Sequence, residues 1–246
     1  MWLFRPEWFT SIKRDLEELK RDGVLIIGYS TEPIPTLRNF FSLSSHADQI
    51  KRLKILFPAR KLALDKFIHY DSSSESLLKY FGFKNLMTYP LPVSQKIFEV
   101  SNEEKKYDIC FVGRPTEYRE FFLSPLKALY KVIHVAHGLF DEDVAKLMAS
   151  SKIVLNLHNE KYLNFENRVV QIKFTKSIVF SQPLSMTNWL QNDEYIEFTQ
   201  RHELVKKVEH ILNETDEIAL DVYKNKFNSK ESFYYSSLIK ELSLSK

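Results

Sequence analysis

Short apolar runs alternate with longer amphipathic stretches along most of this chain. Residues 24–29 (VLIIGY), 66–70 (KFIHY), 107–112 (YDICFV), 131–136 (KVIHVA), 152–157 (KIVLNL) and 177–181 (SIVFS) are mostly apolar over five or six positions. That is the pattern of strands covered on both faces. Residues 2–5, 85–89 and 194–198 read as shorter strands. Between them, residues 6–21 predict a helix with Trp8, Phe9, Ile12, Leu16 and Leu19 on one face, closed by Asp22-Gly23. A basic helical region spans 46–64, interrupted near Pro58. Ser72 or Ser73, with Glu75 in the first turn, predicts a capped helix that ends at Phe81-Gly82. Further helices are predicted over 116–130, 141–150, 165–176 and 201–212, and the pattern stays helical from 214 onward.

Strands separated by helices of this length mean parallel sheets with helices packed on them. Residues 90–106 open with Pro90-Leu91-Pro92 and end in Glu103-Glu104-Lys105-Lys106, a composition suited to a linker. The expected organisation is therefore α/β: two Rossmann-like, doubly wound domains facing across a cleft. The first, short and on the acceptor side, covers 1–100. The second covers 101–225. A C-terminal helix over 226–246 could pack back on the first.

One stretch concentrates polar side chains at a strand end. Residues 151–183 read as strand, polar loop, helix, strand. In open α/β sheets ligands bind outside the carboxyl ends of strands, beside the amino ends of the following helices. His158, Asn159, Glu166, Asn167, Arg168 and Gln171 would all face that crevice, with Asn156 at the strand's last turn outward.

Composition narrows the choices. The chain has 246 residues, 44% hydrophobic and 14% aromatic, enough for a packed core in one large domain or two small ones. The net charge is only +3 and the cations are dispersed, so nucleic acid is not an expected partner. The single cysteine, Cys110, rules out a disulfide within the chain and points to a reducing, cytoplasmic setting. No apolar run has the length of a membrane span, and Met1-Trp2-Leu3-Phe4 is too short for a leader's core, so membrane attachment is at most peripheral, through the aromatic and basic residues from Trp2 to Trp8. With five glycines there is no Gly-rich phosphate loop, so a nucleotide would be held by side chains and helix ends.

The second half resembles the donor-binding domain of GT-B glycosyltransferases, in particular the group 1 branch that includes CgeB-like proteins. The resemblance rests on Phe-Val-Gly-Arg (111–114), a strand ending near His137-Gly138, the run SKIVLNLH (151–158) and the helix start after it, in that order. It covers about residues 66–225, counting Tyr70-Asp71 and Pro90 to Val93. Where the family has Arg-x-Phe-Glu and a closing glycine, this chain has Arg168-Val169-Val170-Gln171 and Lys176. The first domain is also short for the fold, as if minimal or completed by a partner or second copy.

The resemblance implies transfer of a sugar from a nucleotide-sugar donor to a carbohydrate, glycolipid or small-molecule acceptor, without a metal or other cofactor. A non-catalytic GT-B-like module that binds a nucleotide, a sugar or a protein partner is the alternative. On the donor side, Arg168 and Arg114 suit a diphosphate by bidentate pairing. Their plain alternative is a surface arginine. Lys173 and Lys176 read as solvated helix lysines. Gly113 and the His137-Gly138 turn would bring backbone close to the nucleotide. His158 and Asn159 could touch sugar or phosphate, or the histidine could be structural. Glu166 would bind hydroxyls, or favour its helix start by charge. With Gln171 uncharged, any need for a carboxylate falls to Glu166. If the reaction inverts, a base is expected from the first domain: Glu32, in a loop held by Pro33 and Pro35, then Asp71, which could instead cap its helix, then His46.

Overall fold

A computed structural model describes the chain except residues 43–46, 99–102, 160–164, 186–189, 191–193, 228–229 and 245–246. His46 and the centre of the expected linker lie outside the described residues. The chain divides into two compact units, Met1–Leu91 with Ser185–Thr187, and Pro92–Leu184 with Asn188–Lys246. Each contains one parallel sheet, so the α/β class and the two Rossmann-like domains are as expected.

In the first unit, strand β1 (Trp2–Phe4) buries Leu3 and exposes its neighbours. The helix expected over 6–21 is a 3-10 segment, Pro6–Ile12, followed by α1, Lys13–Arg21. Arg5 precedes it at φ 59° with no side-chain cap, and the i→i+3 bond from Trp8 N to Arg5 O sets the tighter winding. The change of pitch breaks the expected apolar face. Leu16 is buried, while Trp8 is 65% exposed, with the Arg5 guanidinium 4.5 Å from its ring centroid. Strand β2 (Ile27–Ser30) starts three residues later than the apolar run. Helices α2 (Leu37–Phe41) and α3 (Ala47–Leu56) follow, then a 3-10 turn at Phe57–Lys61 that carries Pro58. Strand β3 (Lys66–His69) leads to a 3-10 turn at Ser72–Ser74, helix α4 (Glu75–Tyr80) and strand β4 (Leu86–Thr88). The strand order is β1-β2-β3-β4, so each crossover steps the same way. Leu3, Phe67, Leu77 and Phe83 lie in this unit's core.

The second unit opens with α5 (Gln95–Phe98), inside the stretch read as linker, and then β5 (Tyr107–Val112). Helix α6 (Glu117–Leu129) is capped by Thr116, whose Oγ1 accepts from Arg119 N at 3.2 Å. Strand β6 (Val132–Val135), helix α7 (Asp141–Ala149), strand β7 (Ser151–Asn156), helix α8 (Asn167–Phe174), strand β8 (Ile178–Ser181) and the two-residue strand β9 (Ile196–Glu197) complete the alternation. Helix α9 (Arg201–Asn213) starts with a capping box of Gln200 and Glu203. Helices α10 (Glu217–Asn225) and α11 (Tyr235–Leu244) end the described chain, and this terminal segment belongs to the second unit. There the rings of Phe227 and Tyr234 lie 5.3 and 5.6 Å from that of Phe174, and Val93 N donates to Phe233 O at 2.9 Å.

The strand order of this sheet is β6-β5-β7-β8-β9. The chain steps one way from β5 to β6, then returns past β5 to lay down β7. That reversal puts the topological switch point between the carboxyl ends of β5 and β7. Ile153, Val154 and Leu155 are fully buried, as a strand covered on both faces requires. Cys110 is buried in β5, where burial pushes its thiol up to about 12; it is core, not chemistry.

Candidate functional site

Four chain segments meet at the switch point: Gly113-Arg114 after β5, the start of α6, Leu157 to Asn159 after β7, and the first turn of α8. Arg119 holds three of them together. Its Nε donates to the carbonyls of Leu157 (3.2 Å) and His158 (3.1 Å), Nη2 donates to Leu157 O at 3.1 Å, and Nη1 donates to Arg114 O at 2.9 Å. Arg119 is 5% exposed and all three nitrogens of its guanidinium are engaged. Sequence reasoning missed it. The signal was there: Arg119, Phe122, Leu123 and Leu126 fall on the one buried face of α6.

Arg168 differs in one respect. Its Nη1 donates to Asn156 Oδ1 at 3.1 Å and to Leu157 O at 3.3 Å. Among the described residues its Nε and Nη2 donate to nothing, so the outer half of the fork remains available. Asn156 is fully buried and its Nδ2 donates to Ser181 Oγ at 2.9 Å. It braces Arg168 rather than facing the crevice. Phe111 lies under both arginines, 5.3 Å from ring centroid to each Cζ. Gly113 makes this possible. A Cβ there would lie 3.0 Å from Phe111 Cζ, 3.4 Å from Arg119 Nη1 and 3.5 Å from Arg168 Nη2.

His158 is 3% exposed. Its backbone N–H donates to Gln182 Oε1 at 2.8 Å, and Gln182 Nε2 donates to Tyr118 Oη at 2.6 Å. Pro183 O can only accept, so His158 Nε2 donates to it at 2.8 Å. Nδ1 then faces Glu166 Oε1 at 3.8 Å, an ion-pair separation too long for a hydrogen bond. Burial would raise the Glu166 carboxyl, but His158, Arg168 and Arg119 outweigh it and hold it at about 2. Glu166 is the N-cap of α8 and an anion at ordinary pH. Asn167 Oδ1 and His158 Nδ1 are buried without a hydrogen-bond partner among the described residues.

The remaining nominated residues separate by exposure. The Arg114 side chain is exposed and its carbonyl is the group that Arg119 holds. His137 and Gly138 are exposed on the loop after β6, one strand over from β5. Asn159 and Gln171 are half-buried, and Asn159 O accepts from Thr116 Oγ1 at 3.4 Å. Lys173 is not solvated: it is 2% exposed, its Nζ donates to Tyr223 O at 3.1 Å, and burial pushes it down to about 8 against the pull of Glu194. Lys176 is exposed, with φ 55°. That is the left-handed position past a helix end where glycine is favoured.

In the first unit, Glu32 is clamped. Arg5 Nη1 lies 3.2 Å from Oε1 and Arg52 Nε 3.4 Å from Oε2. Asp71 caps the 3-10 turn before α4: its Oδ1 accepts from Ser73 N at 2.9 Å and its Oδ2 from Ser185 Oγ at 2.8 Å. The N-cap of α4 itself is Ser74, not Ser72 or Ser73, and it makes no side-chain cap bond. Close by in sequence, His69 is fully buried, with Nδ1 3.3 Å from Ser30 Oγ and Nε2 without a hydrogen-bond partner among the described residues.

The chain is similar to known proteins in sequence and in fold. The family model described as glycosyl transferase-like matches residues 95–228. An uncharacterized protein of Acanthamoeba polyphaga mimivirus is 30% identical over 166 residues, which are 65% of this chain and 58% of that protein. The match thus spans less than two thirds of that relative. Among solved structures, Anabaena HepE in complex with UDP superposes with a TM-score of 0.66 at 9% identity, over 99% of this chain and 78% of that one. The trehalose-6-phosphate synthase OtsA gives 0.61 at 12% identity, over 99% and 70%. Sucrose-phosphate synthase from Thermosynechococcus elongatus gives 0.57 at 12% identity, over 94% and 71%. At such identities the likeness is one of fold. No helix among the described residues is long and apolar enough to cross a membrane.

Proposed function

The chain belongs to the glycosyl transferase-like family, and from that premise we propose that its second unit binds a nucleotide-sugar donor with the diphosphate at the β5–β7 switch point. The observation that carries the reading is Arg168: a guanidinium fixed on Nη1 by Asn156 and Leu157, with Nε and Nη2 given no partner by the described residues and so left for an anion. UDP in complex with HepE supports a nucleoside diphosphate as the ligand class.

In the transfer, the bond from the anomeric carbon to the diphosphate oxygen breaks and its electron pair leaves on the diphosphate. The acceptor oxygen forms the new bond and passes its proton to the departing diphosphate. Arg168, with the exposed Arg114, neutralises the charge that develops on the leaving group, so the reaction runs without a metal. Glu166, held ionised, accepts from ribose or sugar hydroxyls, with Asn167 Oδ1 as a further acceptor. His158 orients Glu166. Asn159 and Gln171 line the edge, and the His137-Gly138 loop lies on the nucleobase side. Acceptors are a carbohydrate, a glycolipid or a small molecule, met in the cytoplasm. The group 1, CgeB-like branch and a shortened first domain complete this reading.

A second reading, a binding module without turnover, draws on the first unit. Both oxygens of Glu32 face guanidinium groups and both oxygens of Asp71 accept hydrogen bonds, so neither nominated base has a free carboxylate edge. Incubation with a panel of nucleotide sugars separates the two readings. Transfer or hydrolysis that is lost in Arg168→Ala, with the circular dichroism unchanged, supports the enzyme. Binding without any turnover supports the module.

A further inference from the structure

The residue after Gly113 has a second group that reaches the same crevice, and a histidine on the neighbouring strand aims it. Gly113 N donates to Val135 O at 2.9 Å, as the parallel ladder between β5 and β6 requires. The Gly113 carbonyl is taken by His134, which lies on β6: the distance from Nε2 to Gly113 O is 2.9 Å. A carbonyl oxygen only accepts, so Nε2 carries the proton. Nδ1 of the same ring lies 3.3 Å from Glu120 Oε1 and 3.4 Å from Lys127 Nζ, and Lys127 in turn holds Glu120 at 2.8 Å. The ring is thus fixed at both nitrogens.

Backbone geometry then directs the next amide. Both polar backbone groups of Gly113 find their partners on β6, the N–H on Val135 O and the C=O on the His134 ring. The peptide that follows is trans, so the N–H of the next residue points away from that C=O. The opposite side of β5 is β7, where Arg168 stands. Arg114 O is drawn away by Arg119 Nη1 at 2.9 Å, and Pro115 has no N–H. Nothing among the described residues accepts from Arg114 N–H. A donor without a protein acceptor, beside a half-free guanidinium, on backbone that only glycine lets lie so close, is the local chemistry of a phosphate cradle.

We propose that the backbone N–H of Arg114 donates to the bound phosphate, and that His134 is the positioning residue that turns this peptide toward it. The inference rests on the proposed function, since it places a second donor in the same anion site.

Amide-resolved NMR titration with inorganic pyrophosphate tests it without needing the nucleobase. The wild-type Arg114 amide resonance should move downfield as pyrophosphate binds. His134→Ala should weaken binding about tenfold and leave the Arg114 amide unmoved, a loss in line with one hydrogen bond to a charged group. His134→Gln, which keeps a donor at the end of its side chain, should recover most of both. A mere packing role for His134 would lower thermal stability without moving that resonance. If pyrophosphate binds and Arg168→Ala abolishes binding, while the Arg114 amide stays still and His134→Ala binds like wild type, the inference falls and the donor site stands. If neither pyrophosphate nor any nucleoside diphosphate binds the wild type, both fall together.

Discussion

Arg119 and Arg168 donate to the same carbonyl oxygen. Leu157 O accepts from Arg119 Nη2 at 3.1 Å and from Arg168 Nη1 at 3.3 Å. The two cations come from different helices and differ in what they have left to give. Arg119 is spent within the fold, while Arg168 has only Nη1 engaged among the described residues.

Substitution should therefore split their roles. Arg119→Ala strips donors from the carbonyls of Leu157, His158 and Arg114 in a buried place. Leaving such groups unpaired costs at least about 3 kcal/mol, or roughly 10 °C in Tm for a chain of this size. Arg168→Ala should keep Tm within about 4 °C and lower affinity for a nucleoside diphosphate at least about tenfold. Differential scanning fluorimetry and calorimetric titration of both variants check this. Equal loss of Tm in the two would contradict the division.

Lys176→Gly should stabilise the protein. Lys176 holds φ 55° just past α8, where a Cβ is disfavoured and glycine is not. The relief is about 1 kcal/mol, minus the glycine's extra chain entropy, so a rise of about 1–3 °C in Tm is expected. Urea unfolding of the variant checks it, and a fall in midpoint would count against the assigned backbone geometry.

Glu166 should shape the acid limb of stability. Its folded value of about 2 lies below the unfolded carboxylate value, so its contribution is complete above about pH 4.5 and fades as the pH falls through about 2. Glu166→Gln should be less stable than wild type at neutral pH and lose less between those limits. Parallel acid-unfolding curves would show that His158, Arg168 and Arg119 do not hold the carboxylate.

His69 should act in a different window. Burial pushes its ring down to about 4, while the Asp71 charge pulls the other way. The unfolded histidine takes up its proton first, so this contribution is complete above about pH 6.5 and is lost as the pH falls toward 4. His69→Gln should flatten stability between about pH 6.5 and 4 while leaving the drop below it. Urea midpoints across that range, with the wild type as steep as the variant, would reject the assignment.

Much of this fold was legible as pattern, because parallel strands covered on both faces leave unbroken apolar runs. KIVLNL and YDICFV became β7 and β5 almost residue for residue. Local turn chemistry was less legible. Nothing in Pro6–Ile12 announces that the helix begins as 3-10, and a 3-10 turn capped by Asp71 precedes α4, with Ser185 Oγ, 114 residues away, on the other carboxylate oxygen. At the site, the crevice residues stood out as polar groups at a strand end. The strand order that makes this end a switch point did not, since order is a tertiary property. Arg119 and His134 hide for the same reason: each acts on a carbonyl from another segment. Lys173 misled because a lysine on a helix is normally solvated, whereas here the Tyr223 carbonyl and the Glu194 charge accompany its burial from elsewhere in the chain.

The most direct measurement is a thermal-shift titration of wild type and Arg168→Ala with UDP, GDP, CDP and dTDP. The account predicts that at least one of them raises the wild-type Tm in a concentration-dependent way, and that Arg168→Ala, folded and otherwise as stable, shows little or none of that rise. A rise that survives in Arg168→Ala, or no response in wild type to any of the four, would contradict it.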